Sequence, residues 1–245
     1  MELVKNKYNI LITLCARGGS KGIPEKNIKL LNRKPLIAYS IEIARLFCQK
    51  YSAKIALSTD CNKIKSVAAK YGLVTKYKRP DKLATDKAGK IGAIKDILAY
   101  EENEHQDKYD FLIDLDITSP LRTLEDIEDA FHILINKPDA YNIFSVSNAN
   151  RNPYFNMVEL NRDGYSGLVK SGKNIKSRQD APIVYDMNAS FYIYRRSFFD
   201  SKWEIAITDK SLSYVVPHLC FDLDHPIDFT IMDILLNKKL LDFKL

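Results

Sequence analysis

The segment from Asn9 to Ala16 most restricts how this chain can fold, because Asn-Ile-Leu-Ile-Thr-Leu-Cys-Ala is almost continuously apolar. Such a run is typical of a strand buried on both faces, which occurs mainly in parallel sheets covered by helices. Two adjacent glycines, Gly18 and Gly19, follow almost at once, and apolar residues then recur at helical spacing over Leu36–Phe47. The chain therefore opens with a strand, a loop and a helix.

The same alternation continues along the chain and predicts a layered α/β fold with a mostly parallel sheet. The further predicted strands are Lys54–Ser58, Val74–Tyr77, Phe111–Leu115, Tyr141–Val146, Asn188–Tyr194 and Tyr214–Val216. Helices are predicted from Thr59 to about Lys70, over 88–101, after a capping box at Thr123–Asp126, and from about Ile227.

One stretch breaks the pattern. Between residues 150 and 181, two short strand-like pieces, Tyr154–Leu160 and Ser166–Lys170, flank Asn-Arg-Asp-Gly, and Asp-Gly between strands predicts a hairpin. With 245 residues, 46% of them apolar, the chain is expected to form one domain over 1–245, with 150–181 as an inserted hairpin element.

Composition excludes several classes of protein. The formal net charge of +6 suits an anionic ligand, but the cations form no block interleaved with aromatic residues, so no nucleic-acid partner is expected. The four cysteines include no C-x-x-C pair, which argues against structural zinc and suits reduced thiols. Without a signal core or a long apolar run, we expect a cytoplasmic protein that makes no membrane contact.

Positive and flexible residues cluster directly after the first strand. Gly18 and Gly19 permit backbone conformations that point amide groups at an anion, while Arg17, Lys21 and Lys26 add positive charge. Neither a Walker A loop nor a G-x-G-x-x-G fingerprint fits, because Lys21 precedes Gly22, whereas a Walker A lysine follows its glycine, and the dinucleotide spacing is absent. We therefore predict a phosphate cradle at the carboxyl end of the first strand, where open α/β sheets bind ligands.

The segment Ala16–Asn27, ARGGSKGIPEKN, resembles the signature of the acylneuraminate cytidylyltransferases, the CMP-sialic acid synthetases. The resemblance covers nearly the whole chain. Leu112–Asp116 and Arg151–Glu159 are most similar to the subgroup that activates legionaminic acid and related bacterial diacetamido sugars. Other matching pieces, in the family's order and spacing, are Ser58-Thr-Asp60, Arg79-Pro80, Leu83-Ala-Thr-Asp86, Thr118-Ser-Pro-Leu-Arg122, Arg178-Gln179, Asn188-Ala189 and Phe221-Asp-Leu-Asp224.

This resemblance implies a three-layer Rossmann-like nucleotidyltransferase fold with a mostly parallel central sheet and a small β-hairpin dimerisation excursion. It also implies a reaction: CMP passes from CTP to the anomeric hydroxyl of a nine-carbon 2-keto acid sugar, and pyrophosphate is released. Surface glycan biosynthesis would be the setting. A homodimer is expected, in which residues of one subunit help to close the sugar pocket of the other.

The resemblance also assigns roles at the nucleotide. Arg17, Lys21 and Asp224 are the catalytic candidates, with Lys21 neutralising charge as the α-phosphate is attacked. Asn27, Arg79 and the backbone near Ala88 would hold the cytidine. The full set of candidate nucleotide-binding residues is Ala16, Gly18, Gly19, Ser20, Lys26, Asn27, Arg79 and Ala88.

Asp222 and Asp224 form a D-x-D step and are the candidate metal ligands. Two carboxylates near one cavity suit Mg²⁺, which is bound by hard oxygen ligands and bridges to substrate phosphates. In the prediction, CTP is the co-substrate and Mg²⁺ the cofactor.

For the acid sugar, Arg178 matches the arginine that binds the carboxylate in the family, and bidentate geometry suits that task. Sialic acid enzymes usually have a glutamine at the position of Asp116. An acid here either contacts a different substituent of the sugar or belongs to the metal site. A lysine of those enzymes is replaced by Phe155 or Asn156, which favours a less polar substituent. The candidate sugar residues are Asp116, Thr118, Ser119, Phe155, Asn156, Arg178, Gln179, Asn188 and Tyr192.

Two alternatives remain open on the sequence. The acceptor could be N-acetylneuraminic, pseudaminic or a Kdo-type acid, although Kdo enzymes usually have an arginine in place of Lys21. A protein that senses CTP without turnover is the non-enzymatic alternative, against which Lys21, Asp222 and Asp224 argue.

Overall fold

The computed structural model describes residues 7–20, 22–172, 175 and 177–245. Among them, no helix is both long and apolar enough to cross a membrane. The strands are β1 (Ile10–Cys15), β2 (Leu30–Leu31), β3 (Lys34–Pro35), β4 (Ala53–Ser58), β5 (Phe111–Leu115), β6 (Asn142–Asn148), β7 (Val158–Leu160), β8 (Ser166–Leu168), β9 (Tyr185–Arg195) and β10 (Ser211–Val215). The helices are α1 (Leu36–Lys50), α2 (Asn62–Lys70), α3 (Lys90–His105), α4 (Leu124–Ile135) and α5 (Pro226–Asn237).

Six strands form the central sheet in the order β10-β6-β9-β5-β1-β4. Strands β4, β1 and β5 pair in parallel, as do β6 and β10, whereas β9 runs antiparallel to both of its neighbours. The predicted α/β fold with a mostly parallel sheet is thus confirmed. From β1 the chain moves to β4 on one side and later to β5 on the other, so the strand order reverses at β1.

The two faces of the sheet pack into separate cores because side chains alternate along each strand. On β1, Ile10, Ile12 and Leu14 join the core that is shared with α1 and α4, while Leu11 joins the core beneath α3. Helices therefore cover both faces and make three layers. By the same alternation, Thr13 and Cys15 of β1 lie on the α3 face.

One predicted strand is wrong. No strand forms over Val74–Tyr77, and the segment does not pair with the sheet. Both backbone groups of Tyr77 are bonded to side chains instead: its amide donates to Thr75 Oγ1 at 3.1 Å, and its carbonyl accepts from Lys65 Nζ at 2.5 Å. The β-like composition of the segment therefore meets no strand partner.

Three further expectations have clear outcomes. The helix predicted from Thr59 begins instead at Asn62, because Thr59 Oγ1 accepts a hydrogen bond from the amide of Cys61 and forms a turn before the helix. The hairpin is present: β7 and β8 pair antiparallel as a two-stranded ladder separate from the main sheet. At Thr123 the capping box forms as predicted, with Asp126 as its third residue.

Candidate active site

A cleft with a volume of about 250 Å³ opens at the carboxyl ends of β1 and β5, where the strand order reverses. This is the position at which open α/β sheets bind ligands. The predicted residues that line it come from four separate segments of the chain, so the fold brings together groups that are far apart in sequence. They are Arg17, Ser20, Lys26, Asn27, Arg79, Ala88, Asp116 and Thr118.

The loop after β1 is held by its own polar contacts. Arg17 Nη1 lies 2.5 Å from Asp86 Oδ1, and Asn27 Nδ2 donates to the carbonyl of Arg17 at 2.9 Å. The amide of Gly18 donates to Asp60 Oδ1 at 2.8 Å. Three predicted elements of the site, the first loop, Asp60 and the Ala-Thr-Asp segment, are therefore joined by direct bonds.

Other predicted loop residues differ in their surroundings. Ala16 is fully buried and its amide donates to the carbonyl of Ser58 at 2.9 Å, so it anchors the loop to β4. Gly19 is exposed, and a side chain there would meet no atom within 4 Å. The catalytic candidate Lys21 lies outside the described residues.

The loop is also fixed to the segment that carries the metal candidates. Lys26 Nζ donates to the carbonyl of Leu223 at 2.6 Å and lies 3.4 Å from Asp224 Oδ1. A Cβ on Gly22 would stand 2.8 Å from the carbonyl oxygen of Asp224, closer than side-chain carbons ordinarily approach. The absence of a side chain at Gly22 therefore permits the two segments to touch.

Substitution of Gly22 with alanine is expected to lower kcat/KM by about tenfold to a hundredfold, because a misplacement of catalytic groups on the order of 1 Å has effects of that size. Steady-state kinetics of the CMP transfer that the sequence predicts measures the change. Gly92→Ala is the matched control, since Gly92 is exposed on α3 and a methyl group there would come no closer than 3.4 Å to the side chain of Leu83. Equal rates for both variants and the wild type would show that the contact at Asp224 does not matter.

Arg79 is buried at the opposite wall of the cleft, with 4% of its surface exposed. Its Nε and Nη2 donate to Ser58 Oγ and to the carbonyl of Ser58, each at 2.9 Å. Within the described residues, Nη1 makes no hydrogen bond. A fixed guanidinium with one free edge is suited to recognise an acceptor such as a carbonyl oxygen.

Asp222 and Asp224 lie close to each other, next to the loop after β1. Burial, together with the neighbouring Asp224 carboxylate, raises the pKa of Asp222 above its usual range. A divalent cation between two such carboxylates would relieve their repulsion, so the pair fits Mg²⁺. Among the described residues no cluster of three or more acidic, His or Cys side chains surrounds this point, and Mg²⁺ commonly takes its remaining ligands from phosphates and water.

Lys90 is a charged residue of the cleft that was not predicted. Lys90, the first residue of α3, lies in the cleft with its Nζ 2.6 Å from Asp114 Oδ2 and 2.6 Å from Asp116 Oδ2. Burial would raise the pKa of Asp116, but the Lys90 ammonium and two bonds from Thr118 outweigh it and hold that pKa at about 2. The available signal was Asp114 itself, because a charged residue inside an apolar strand needs a buried partner.

Arg122 is fully buried and supports the wall of the cleft that contains Asp116. Arg122 donates to the carbonyl of Ser119 at 3.0 Å, to Ser40 Oγ at 2.5 Å and to the carbonyl of Asp116 at 2.7 Å, and it also contacts the Ser190 carbonyl. Burial lowers its pKa to about 10, which leaves it charged at neutral pH. Ser119, itself buried, bonds the carbonyl of Phe221 at 3.3 Å and so ties this wall to the metal segment.

Not all candidate sugar residues meet in the cleft. Tyr192 pairs with Asp114 across β9 and β5 and has Lys90 Nζ 5.4 Å from its ring centre, beside the cleft. Asn188 is buried, and its amide bonds Ser145 and Ser147 within the fold.

The remaining sugar candidates belong to the hairpin excursion. Arg178 and Gln179 line a different cavity, and Arg178 Nη2 donates to the carbonyl of Ala149 at 3.2 Å. Phe155 is partly exposed, and Asn156 Oδ1 accepts from the amide of Asn152 at 2.7 Å. One chain therefore does not bring these residues to its own cleft.

Comparison with known proteins places these features in a family. The profile of the cytidylyltransferases matches residues 11–234. The chain is 40% identical over 235 residues to post-translational flagellin modification protein B of Campylobacter coli, covering 96% of this chain and 98% of that one. It is 39% identical to the CMP-N,N′-diacetyllegionaminic acid synthase of Campylobacter jejuni, covering 94% and 96%. A CMP-2-keto-3-deoxy-manno-octonic acid synthetase solved with CTP superposes with a TM-score of 0.67 at 16% identity, over 94% and 99% of the two chains.

Proposed function

This chain belongs to the cytidylyltransferase family, in the group of acylneuraminate-type nucleotidyltransferases, and we propose that it transfers CMP from CTP to a nine-carbon 2-keto acid sugar. The acceptor is legionaminic acid or a related sialic-type acid, the bond forms at its anomeric hydroxyl, and pyrophosphate leaves. The observation that carries this proposal is the cleft itself: one opening holds cations for a triphosphate and a fixed arginine for a base, and Lys26 of its lining joins it to the neighbouring carboxylate pair of Asp222 and Asp224.

In the proposed reaction the anomeric oxygen bonds to the α-phosphorus as the bond to the β-phosphate oxygen breaks. The protein forms no covalent bond in such a transfer. Catalysis therefore depends on positioning the two substrates and on neutralising the charge of the phosphates. Arg17 and Lys26 supply positive charge on the loop side of the cleft. We propose that Lys21 adds to them.

The nucleoside is held at the other wall. The proposed contacts are Arg79 through its free Nη1, the backbone near Ala88, and Asn27, whose amide keeps the loop closed on Arg17. Asp222 and Asp224 would hold Mg²⁺, which when bound adds positive charge beside the phosphates. Lys26 keeps these carboxylates close to the loop.

The choice of acceptor rests on the relatives. The Campylobacter jejuni relative is named for N,N′-diacetyllegionaminic acid, and it aligns over nearly the full length of both chains. The test is a panel of acid sugars with CTP and Mg²⁺: legionaminic, pseudaminic, N-acetylneuraminic and Kdo. We expect the highest kcat/KM with a legionaminic acid; a higher value with Kdo would overturn the assignment of the sugar.

The excursion is proposed to form the interface of a homodimer. It exposes apolar side chains, among them Val158 at 62% and Leu160 at 71%, and contiguous exposed apolar surface commonly marks an interface. Since Arg178 stands outside the cleft of its own chain, a partner's excursion closing over the cleft would supply the missing carboxylate contact.

Leu160→Glu is expected to convert the dimer into a monomer, because it places a charge in an apolar interface, and to lower activity by about tenfold or more. Light scattering at micromolar concentration measures the mass. Leu240→Glu is the matched control, since Leu240 is 60% exposed but lies at the end of α5. A monomeric wild type would contradict the proposed assembly.

A further inference from the structure

Lys90 stands at the junction of two cavities. Together with Gly89 it lines both the nucleotide cleft and a neighbouring cavity of about 330 Å³. We call the second one the apolar cavity, because its lining includes Ile91, Met187, Tyr192, Ile205 and Ile207. A group that bridges the nucleotide and a ligand in the apolar cavity must pass Lys90.

The alternation of side chains explains why an ion cluster forms here. Asp114 of β5 and Asp116, the residue directly after the strand, are two residues apart, and both carboxylates lie beside Lys90 at the start of α3. Asp114 is fully buried, with Oδ1 accepting from Thr13 Oγ1 at 2.8 Å and Oδ2 2.6 Å from Lys90 Nζ.

Asp116 has little capacity left for a ligand. Its Oδ1 accepts from both the amide and the hydroxyl of Thr118, each at 2.8 Å, and its Oδ2 accepts from Lys90 at 2.6 Å. Three of the roughly four acceptor positions of a carboxylate are thus occupied within the chain.

Lys90 retains a donor. An ammonium has three N–H groups, and Lys90 donates one of them to Asp116 Oδ2. It also forms an ion pair with Asp114 Oδ2 at 2.6 Å, without the geometry of a hydrogen bond. At least one N–H group therefore makes no hydrogen bond within the described part of the chain, while the side chain is 34% exposed at the wall of the cleft. Lys90 rather than Asp116 therefore presents the polar group to an incoming ligand.

The charge of the cluster restricts that ligand. One ammonium and two carboxylates sum to −1, and the charged Arg122 behind Asp116 brings the sum to about zero, so the cluster has no net positive charge with which to attract a phosphate or a carboxylate. An uncharged acceptor such as an amide carbonyl or a hydroxyl needs no such attraction. The triphosphate is correspondingly expected at Arg17 and Lys26.

We propose that Lys90 determines sugar specificity by donating a hydrogen bond to an uncharged oxygen of the acceptor sugar, and that Asp116 acts through Lys90 as a positioning residue. The proposal rests on the proposed CMP transfer. It replaces the expectation that Asp116 itself reads the sugar. The substituent that it favours is an acylamido group, whose carbonyl would meet Lys90 while its alkyl part lies in the apolar cavity.

The test measures the KM values for CTP and for N,N′-diacetyllegionaminic acid separately. Lys90→Met is expected to raise the KM of the sugar about tenfold or more and to change that of CTP less than about twofold, as loss of a single hydrogen bond predicts. Asp116→Asn is expected to have a smaller effect on the sugar, because Asp114 still holds Lys90. Lys95→Met, an exposed lysine on the same helix, is the control.

Removal of Lys90 leaves two carboxylates without a cation, which could prevent Lys90→Met from folding. The double variant Lys90→Met/Asp116→Asn is therefore measured as well, and its KM for the sugar tests the role of Lys90 if the single variant does not fold. The proposal is overturned if Asp116→Asn harms sugar binding more than Lys90→Met does, if the KM of CTP alone rises, or if neither KM moves.

Calorimetric binding of the sugar in the presence of CDP separates this inference from the proposed function. Sugar binding by a wild type that transfers no CMP would refute the function alone, and Lys90 is then judged by the loss of binding in its variants. No binding by the wild type would overturn both.

Discussion

Replacement of Asp224 by asparagine is expected to lower kcat for CMP transfer by about a thousandfold at saturating Mg²⁺. A bound cation typically contributes several kcal/mol of charge stabilisation to a transfer of this kind, and about 4 kcal/mol corresponds to three orders of magnitude. Asp222→Asn should behave alike, because the two carboxylates lie close enough for one to raise the pKa of the other. Asp209→Asn, an exposed carboxylate in a turn, is the matched control.

The dependence on pH gives this prediction a second readout. Since the pKa of Asp222 is raised, protonation should remove the ionised ligand, and with it activity, at a higher pH than for an ordinary aspartate. In Asp224→Asn the repulsion is gone, so the pKa of Asp222 should fall and the acid limb of the residual activity should move to lower pH. Full turnover by Asp224→Asn would rule out the assigned role.

Arg79→Met is expected to raise the KM for CTP about a hundredfold with little change in kcat. A charge-assisted hydrogen bond contributes roughly 1.5–3 kcal/mol, and the upper part of that range corresponds to about two orders of magnitude in affinity. The effect should be confined to the nucleotide, because Arg79 is fixed by Ser58 at the wall away from Asp224.

Two further variants sharpen the Arg79 experiment. Arg79→Lys keeps the charge but not the planar geometry that bonds Ser58 twice and a ligand at once, so it should also be impaired. Lys78→Met, in an exposed neighbour, should leave the KM for CTP unchanged. If Arg79→Met binds CTP as tightly as the wild type does, another residue holds the base.

The fold was largely predictable because the apolar runs are long and regular. The buried run ending at Ala16 and the strand Phe111–Leu115 each fill a central position of the sheet. The strand predicted over Val74–Tyr77 was wrong because composition does not show whether a strand partner exists; side-chain bonds with Thr75 and Lys65 satisfy the backbone of Tyr77 instead. The antiparallel direction of β9 was not predicted, because no local pattern encodes the direction of a strand.

The site was predictable where its residues follow one another in sequence. The loop after β1 and the Asp-Leu-Asp step could be recognised from their residues alone. The structure adds that Lys26 brings the two segments into contact. Lys90 was missed because its role depends on Asp114 and Asp116, which lie more than twenty residues away and meet it only where α3 packs on the sheet. Arg178 shows the opposite limit: its motif was recognised, but it lies outside the cleft of its own chain, and only the proposed assembly would bring it to a cleft.

The fate of labelled CTP tests the central claim most directly. CTP labelled at the α-phosphorus is incubated with the protein, Mg²⁺ and N,N′-diacetyllegionaminic acid. We expect the label to appear in a CMP-sugar conjugate together with an equal amount of unlabelled pyrophosphate, and both products to be lost in Asp224→Asn. Label that stays in CTP, or that appears only as free CMP or CDP with each acid sugar of the panel, would contradict the assignment of this cleft to CMP transfer.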